Sequence, residues 1–264
     1  VYKRQMWGYT TRATDVISNL REGYRTICRV VSEKEGCGMY KSWKPAKLDL
    51  VLAAGTAIFL PFVAGFLYSR TGAFLPMLLY YGVAWGLVKW RRGSIGYRNP
   101  FPPKPPLAFY LNIGIILGCL VCARLSPIVN PSIQPLGMLL TALVWAPLNA
   151  ATEQILWIYI FEAWDLYPRK VNIACRIIGL LLFSAFVGLI HTSFWVQFLH
   201  IVQAGTLLGT LFIVLTSLSG FLHILVWRQS RQMVFTFIPH LMLNLVPIFW
   251  TNYSIIPYLF HFRG

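Results

Sequence analysis

Residues 145–164 read WAPLNAATEQILWIYIFEAW. The stretch matches the ~20 predominantly apolar residues that cross a bilayer as a helix, yet a carboxylate, Glu153, sits in its middle. Only three acidic residues follow Asp49 in the chain: Glu153, Glu162 and Asp165. The last two fall at the end of the stretch, where water is expected to reach them. A charged side chain at mid-membrane costs roughly 2.5–3.5 kcal/mol on insertion scales, so Glu153 is expected to face the interior of a helix bundle and to have a partner there. Asn149 lies one helical turn earlier and shares its face. Pro147, just upstream, is expected to kink the helix and to free the carbonyl of Leu143.

The rest of the chain agrees with a membrane setting. Hydrophobic residues make up 57% of it and charged residues 12%, with a mean hydropathy of +0.60, too apolar for a water-soluble domain. Further apolar runs lie at about 50–68, 72–88, 107–123, 173–194, 198–227 and 233–250. With the run at 136–164 they predict an all-α, polytopic integral membrane protein of about seven transmembrane helices. The membrane is the cell membrane in a prokaryote or that of the endoplasmic reticulum in a eukaryote. The formal charge of +15 does not point to nucleic acid, because the basic residues are spread through the short polar segments and form no basic helix interleaved with stacking aromatics. Twenty of the 23 Lys and Arg residues lie in segments 1–49, 89–106, 165–176 and 228–232, which alternating spans put on one side, and the positive-inside bias makes that side cytoplasmic.

Within the polar residues 6–49, Val16, Leu20, Tyr24, Ile27 and Val31 recur at helical spacing, which predicts a cytoplasmic amphipathic N-terminal helix, lying on an anionic membrane surface or docked under the bundle. Residues 1–5, VYKRQ, match one reading frame of a transposon end used to prepare sequencing libraries and are expected to be a scar. NPFPPKPPLAF, residues 99–109, carries five prolines and predicts a stiff connector. Five cysteines give no disulfide framework, and the Cys119/Cys122 pair, inside an apolar run, is read as packing.

The later apolar runs carry His191, His200, His223 and His240, with Asn244 one turn beyond His240. His200 and His223 are expected to make helix-to-helix hydrogen bonds, and Gly205 and Gly209, spaced as GxxxG, to allow close helix packing. The Trp and Tyr residues fit interfacial belts. Glu153, His191, His240 and Asn244 are the candidate site: a carboxylate, two imidazoles and an amide could supply a general base, a proton shuttle and oxyanion donors, or could ligate a metal.

The order APLNAATEQILWIY, then FVGLIH, then HLMLN resembles the CAAX protease and bacteriocin-processing family of intramembrane glutamate proteases, whose motifs are EExxxR, FxxxH and HxxxN. The resemblance covers about two-fifths of the chain, residues 145–250. It implies an endopeptidase acting on prenylated proteins or membrane-bound peptide precursors, with no cofactor and no metal. Carried over, Glu153 and His191 activate a water molecule, and His240 and Asn244 form the oxyanion hole. The chain departs from the pattern at Gln154, where the family has its second Glu, at Ile158, where it has Arg, and at Val187, where it has Phe. Losing a carboxylate and a guanidinium together leaves no stranded charge. The rival readings are a zinc-dependent membrane protease using the same residues, weakened by the absence of HExxH, an inactive scaffold that binds membrane-anchored partners, and a proton-coupled transporter. Glu153 is central in its run, His191 late and His240 early, so their meeting requires tilted helices or a helix that continues through Phe198.

Overall fold

The computed structural model describes residues 43–102, 104–126, 135–168, 172–193, 203, 205–251 and 253–260. The chain divides into two units, Val1–Trp43 and Lys44–Gly264, and the described helices all belong to the second. The expected amphipathic helix over Val16–Val31, His200 and Phe198 lie outside the described residues, as do residues 1–5.

Every regular element among the described residues is helical. Helix α1 (Lys47–Thr71) begins where the Asp49 carboxylate accepts the N–H of Ala46 at 2.7 Å, and ends at Gly72. Gly72 has a φ of 85°, and a Cβ there would fall 2.6 Å from the Leu259 carbonyl oxygen, so both conformation and space require glycine. Helix α2 (Phe74–Arg92) closes with Lys89, Arg91 and Arg92 in its last turn, where cations suit the helix dipole. The proline-rich connector holds the chain out of helix until Pro106 starts α3 (Leu107–Leu125). Next come α4 (Pro135–Leu140), a π-helical turn (Thr141–Trp145) and α5 (Ala146–Asp165). Pro147 cannot donate to the Leu143 carbonyl, and the backbone answers by widening: the Ala146 N–H bonds Thr141 O, five residues back. Asn172 caps α6 (Ile173–His191) by accepting from two backbone N–H groups, and Thr206 caps α7 (Leu207–Ser230). Helix α8 (Val234–Thr251) and a short α9 (Ile256–Leu259) follow.

Five helical segments are long and apolar enough to cross a membrane: α1, α3, the α4–α5 rod, α6 and α7. They mark the chain as an integral membrane protein. Helix α8 is apolar but shorter, and α2 ends in three basic residues. The bundle is polarised as a bilayer demands. Large apolar side chains such as Leu107, Leu143, Ile173 and Leu207 point outward, while Asn112, Asn149, Glu153, Gln154, His191, His223, His240 and Asn244 are buried. Small residues (Ala53, Ala57, Ala84, Ala146, Ala150) let the backbones approach. From Thr152 to Ala163 every residue of α5 is buried, which makes this helix the central post, packed by α1, α2, α6, α7 and α8.

At one end of the bundle the acids of the sequence meet its arginines. Asp49 holds Arg91 at 2.8 Å and accepts from Tyr159 Oη at 3.0 Å. Glu162 lies 3.2 Å from Arg92 and 3.0 Å from Arg231, and accepts from Trp227 Nε1. Asp165 holds Arg176 at 2.6 Å and Arg228 at 2.9 Å. This corrects the expectation for Glu162 and Asp165: neither carboxylate is left to water, because each is buried and matched by two guanidinium groups. All five arginines come from segments that the charge count puts on one side.

Two further expectations give way. Trp145, Trp157, Tyr80 and Tyr159 lie in the core rather than in an interfacial belt; Trp157 donates to Tyr80 and Tyr159 to Asp49, so their polar tips are used inside. Gly205 and Gly209 serve the start of α7: Gly205 takes a positive φ in the preceding turn, and the nearest atom to a Cβ on Gly209 would be Gln203 O, from the same turn and not from another helix. Cys119 and Cys122 are free and buried in apolar packing, as read from the sequence.

Candidate functional site

Glu153 sits about 14 Å up α5 from Glu162, nine residues at 1.5 Å each, well inside the bundle. Its carboxylate meets His240 of α8: Glu153 Oε2 is 3.0 Å from His240 Nε2, and both side chains are buried. Among the described acids it alone lacks an arginine partner.

The second face of the same imidazole is held by Gln154, whose Oε1 lies 2.8 Å from His240 Nδ1. Gln154 Nε2 donates to Ala150 O and lies 3.2 Å from Tyr97 Oη, which itself donates to Ala151 O at 2.8 Å. Tyr97 comes from the loop between α2 and α3, so this polar chain connects the arginine-rich end to the buried pair. Burial pushes the Tyr97 phenol above its ordinary value, and the Gln154 hydrogen bond offsets this only in part, so the hydroxyl stays a neutral donor.

Trp157, one turn beyond Glu153, joins three imidazoles. His240 stacks on it at 5.3 Å, while His191 and His223 meet it edge-on at 5.3 and 5.9 Å. Helical side chains lean toward the N-terminus of their helix, so the Trp157 ring covers the level of Glu153. His191, the last α-helical residue of α6, thus reaches this level. His191 Nδ1 is buried without a hydrogen-bond partner, and no hydrogen bond or ion pair joins it to Glu153. The carboxylate that the resemblance pairs with His191 is in contact with His240 instead.

His223 does what a buried membrane histidine is expected to do. Its ring nitrogens face Ser219 O at 2.7 Å and Thr236 O at 3.0 Å, and Asn112 of α3 reaches it at 3.2 Å, so it ties three helices together. Asn244 lies one turn along α8 from His240; its amide reaches Ala146 O at 3.5 Å and its Oδ1 has no partner. Asn149 accepts from Tyr81 at 2.7 Å, but its Nδ2 is likewise unpartnered. Because α5 and α8 lie side by side, Asn149 and Asn244 form a polar layer about 6 Å, one helical turn, from the Glu153–His240 contact.

Six buried polar atoms of the site are without a hydrogen bond: both oxygens of Glu153, His240 Nε2, His191 Nδ1, Asn149 Nδ2 and Asn244 Oδ1, the Glu153–His240 approach being off the hydrogen-bond axis. Leaving a buried polar atom unmatched costs about 1–3 kcal/mol, so such a group needs a reason. Gln154 and Trp157 were not found from the sequence as parts of this site. In the sequence Gln154 is a departure from a motif and Trp157 one aromatic among many; their signal is position, next to and one turn after Glu153.

No group of three or more His, Cys, Asp or Glu side chains arranged to hold a metal occurs among the described residues. Compared with protein-family models, with curated proteins and with solved structures, the chain matches none.

Proposed function

We propose that the chain is an intramembrane endopeptidase of the CAAX protease and bacteriocin-processing type, in which Glu153 takes a proton from the water molecule that attacks a substrate peptide bond. The observation that carries this is the group of unpartnered donors and acceptors around one arginine-free carboxylate in the core. Such atoms match the needs of hydrolysis: a base, a second group to orient water, and donors for an oxyanion. The water oxygen bonds to the carbonyl carbon as its proton passes to Glu153, with His191 Nδ1 orienting it. His240 Nε2–H and the Asn244 amide stabilise the negative oxygen. The C–N bond then breaks, and Glu153 returns the proton to the leaving amine, giving a carboxylate and an amine.

The reading extends to the whole chain. Seven spans, with α2 and α8 completing the five long apolar segments, put the arginine-rich end in the cytoplasm, and the amphipathic N-terminal segment is cytoplasmic as well. The substrate is a prenylated or otherwise membrane-anchored protein or peptide, met in the bilayer; nucleic acid has no part. Sidedness predicts that a membrane-impermeant thiol reagent added outside intact cells labels neither Cys37 nor Cys175. Labelling of Cys175 as fast as an external control would reverse the topology.

Cleavage of a farnesylated peptide by the purified protein in proteoliposomes tests the activity itself. A chelator is expected to leave the rate unchanged. Loss of activity that zinc restores would replace this mechanism with a metalloprotease using the same residues.

A further inference from the structure

The His240 ring is held on both sides, and the hydrogen-bond inventory of its partners fixes where its hydrogen lies. Gln154 Nε2 is committed to Ala150 O and to Tyr97 Oη, so its oxygen is what faces His240 Nδ1 at 2.8 Å. Tyr97 spends its own hydrogen on Ala151 O, which leaves the phenol oxygen to accept from the Gln154 amide and sets the direction of every bond in the chain. An amide carbonyl accepts and cannot donate, so Nδ1 must carry a hydrogen. On the other side His240 Nε2 and Glu153 Oε2 are 3.0 Å apart in a buried setting. Two bare lone pairs do not share that distance, so the pair holds one proton, as imidazolium beside carboxylate or imidazole beside carboxylic acid, although the contact is off the hydrogen-bond axis.

We infer that Gln154, clamped by Tyr97, is a positioning residue that holds one hydrogen on His240 Nδ1 and so confines the exchangeable proton of the site to the Glu153–His240 Nε2 contact. Its catalytic consequence rests on the hydrolase reading above; the location of the hydrogen does not. In the imidazolium–carboxylate form the pair presents a base and a charged oxyanion donor together, and charge-assisted donors are roughly twice as strong as neutral ones. Histidine chemistry depends on which ring nitrogen carries the hydrogen, and that choice is made by the partner of the other nitrogen.

The neutrality of Gln154 belongs to the same device. A carboxylate at 154 would also accept from Nδ1, but it would add a second negative charge beside Glu153. Ile158, one turn on, is fully buried and offers no cation to offset it. The amide keeps the acceptor and omits the charge, which accounts in one step for both departures from the EExxxR pattern. Among the described residues the other titratable groups around the pair are His191 from α6, His223 from α7 and Tyr80 from α2, each in contact with Trp157, together with Tyr81 from α2, which interacts with Glu153, and Tyr97 behind Gln154.

The test is the nitrogen-15 spectrum of the full-length, histidine-labelled protein in lipid, with His240 assigned by the signals lost in His240→Asn. The expected result is a protonated, pyrrole-type Nδ1 in the wild type. In Gln154→Leu, which keeps the bulk and removes the acceptor, that signature is expected to disappear, and kcat on a farnesylated peptide to fall at least about tenfold with little change in KM. Tyr97→Phe removes only the clamp and is expected to weaken the signature in part; it carries the test if Gln154→Leu does not fold. An unprotonated Nδ1 in the wild type, or a signature unchanged in both variants, overturns the inference. A wild type that shows the protonated Nδ1 but cleaves nothing upholds the inference and counts against the hydrolase reading instead.

Discussion

Glu153→Gln is expected to lower the cleavage rate at least about a thousandfold, within the range contributed by a positioned general base, while leaving the bundle folded. The substitution keeps the shape of the side chain and removes its ability to take a proton. Its cost in stability is small for a physical reason. The carboxylate lies in the core with no guanidinium beside it and only His240 as a charged-state partner. A neutral amide is easier to bury there, and its N–H can donate to a neutral His240 Nε2. Thermal melting in detergent should therefore be unchanged or raised. Full activity in this variant would remove Glu153 from the mechanism, and a collapse of the melting temperature would give it a structural role.

Glu162→Gln is expected to do the opposite, costing about 3–5 kcal/mol of stability, the usual loss when one partner of a buried ion pair is removed. Glu162 is buried between Arg92, itself only 10% exposed, and Arg231, and it also receives the Trp227 N–H. Arg92 and Arg231 both lie over the Trp227 ring, at 4.9 and 5.7 Å. Without the carboxylate these two cations lie over one aromatic ring without the negative charge that each of them meets in the wild type. The double variant Glu162→Gln/Arg92→Met should recover a good part of the loss, because it removes the more buried guanidinium together with the carboxylate it faces. A melting temperature that does not move in Glu162→Gln would show that this cluster is not what ties α5 to α2 and α7.

Much of the architecture is legible in the sequence because bilayer-length apolar runs have few alternatives. The runs at 50–68, 107–123, 136–164 and 173–194 correspond to α1, α3, the α4–α5 rod and α6. The π-helical turn before Pro147 is not legible as such: a proline says that one bond is missing, not how the backbone will absorb the loss. The pairing of Glu162 and Asp165 with arginines is also hidden, because their partners Arg92, Arg176, Arg228 and Arg231 sit on or just after three other helices and periodicity within one helix says nothing about them.

At the candidate site the sequence singles out Glu153 by its isolation and His240 and Asn244 by their spacing. It does not tell which histidine the carboxylate meets, since that depends on how α6 and α8 lean against α5. Helix α6 brings His191 to Trp157, and α8 brings His240 both to Trp157 and to Glu153. Tyr97 lies in a loop outside the runs that carry the motif, and only the folded chain places it against Gln154.

The most direct test of the Glu153 centre is mass analysis of a membrane-anchored, farnesylated peptide incubated with the purified wild-type protein in proteoliposomes, with a chelator present throughout. The predicted result is two products that sum to the peptide plus one water, one with a new carboxylate and one with a new amine, formed by the wild type and not by Glu153→Gln. An intact peptide alongside a folded wild-type protein, or equal products from Glu153→Gln, would contradict it.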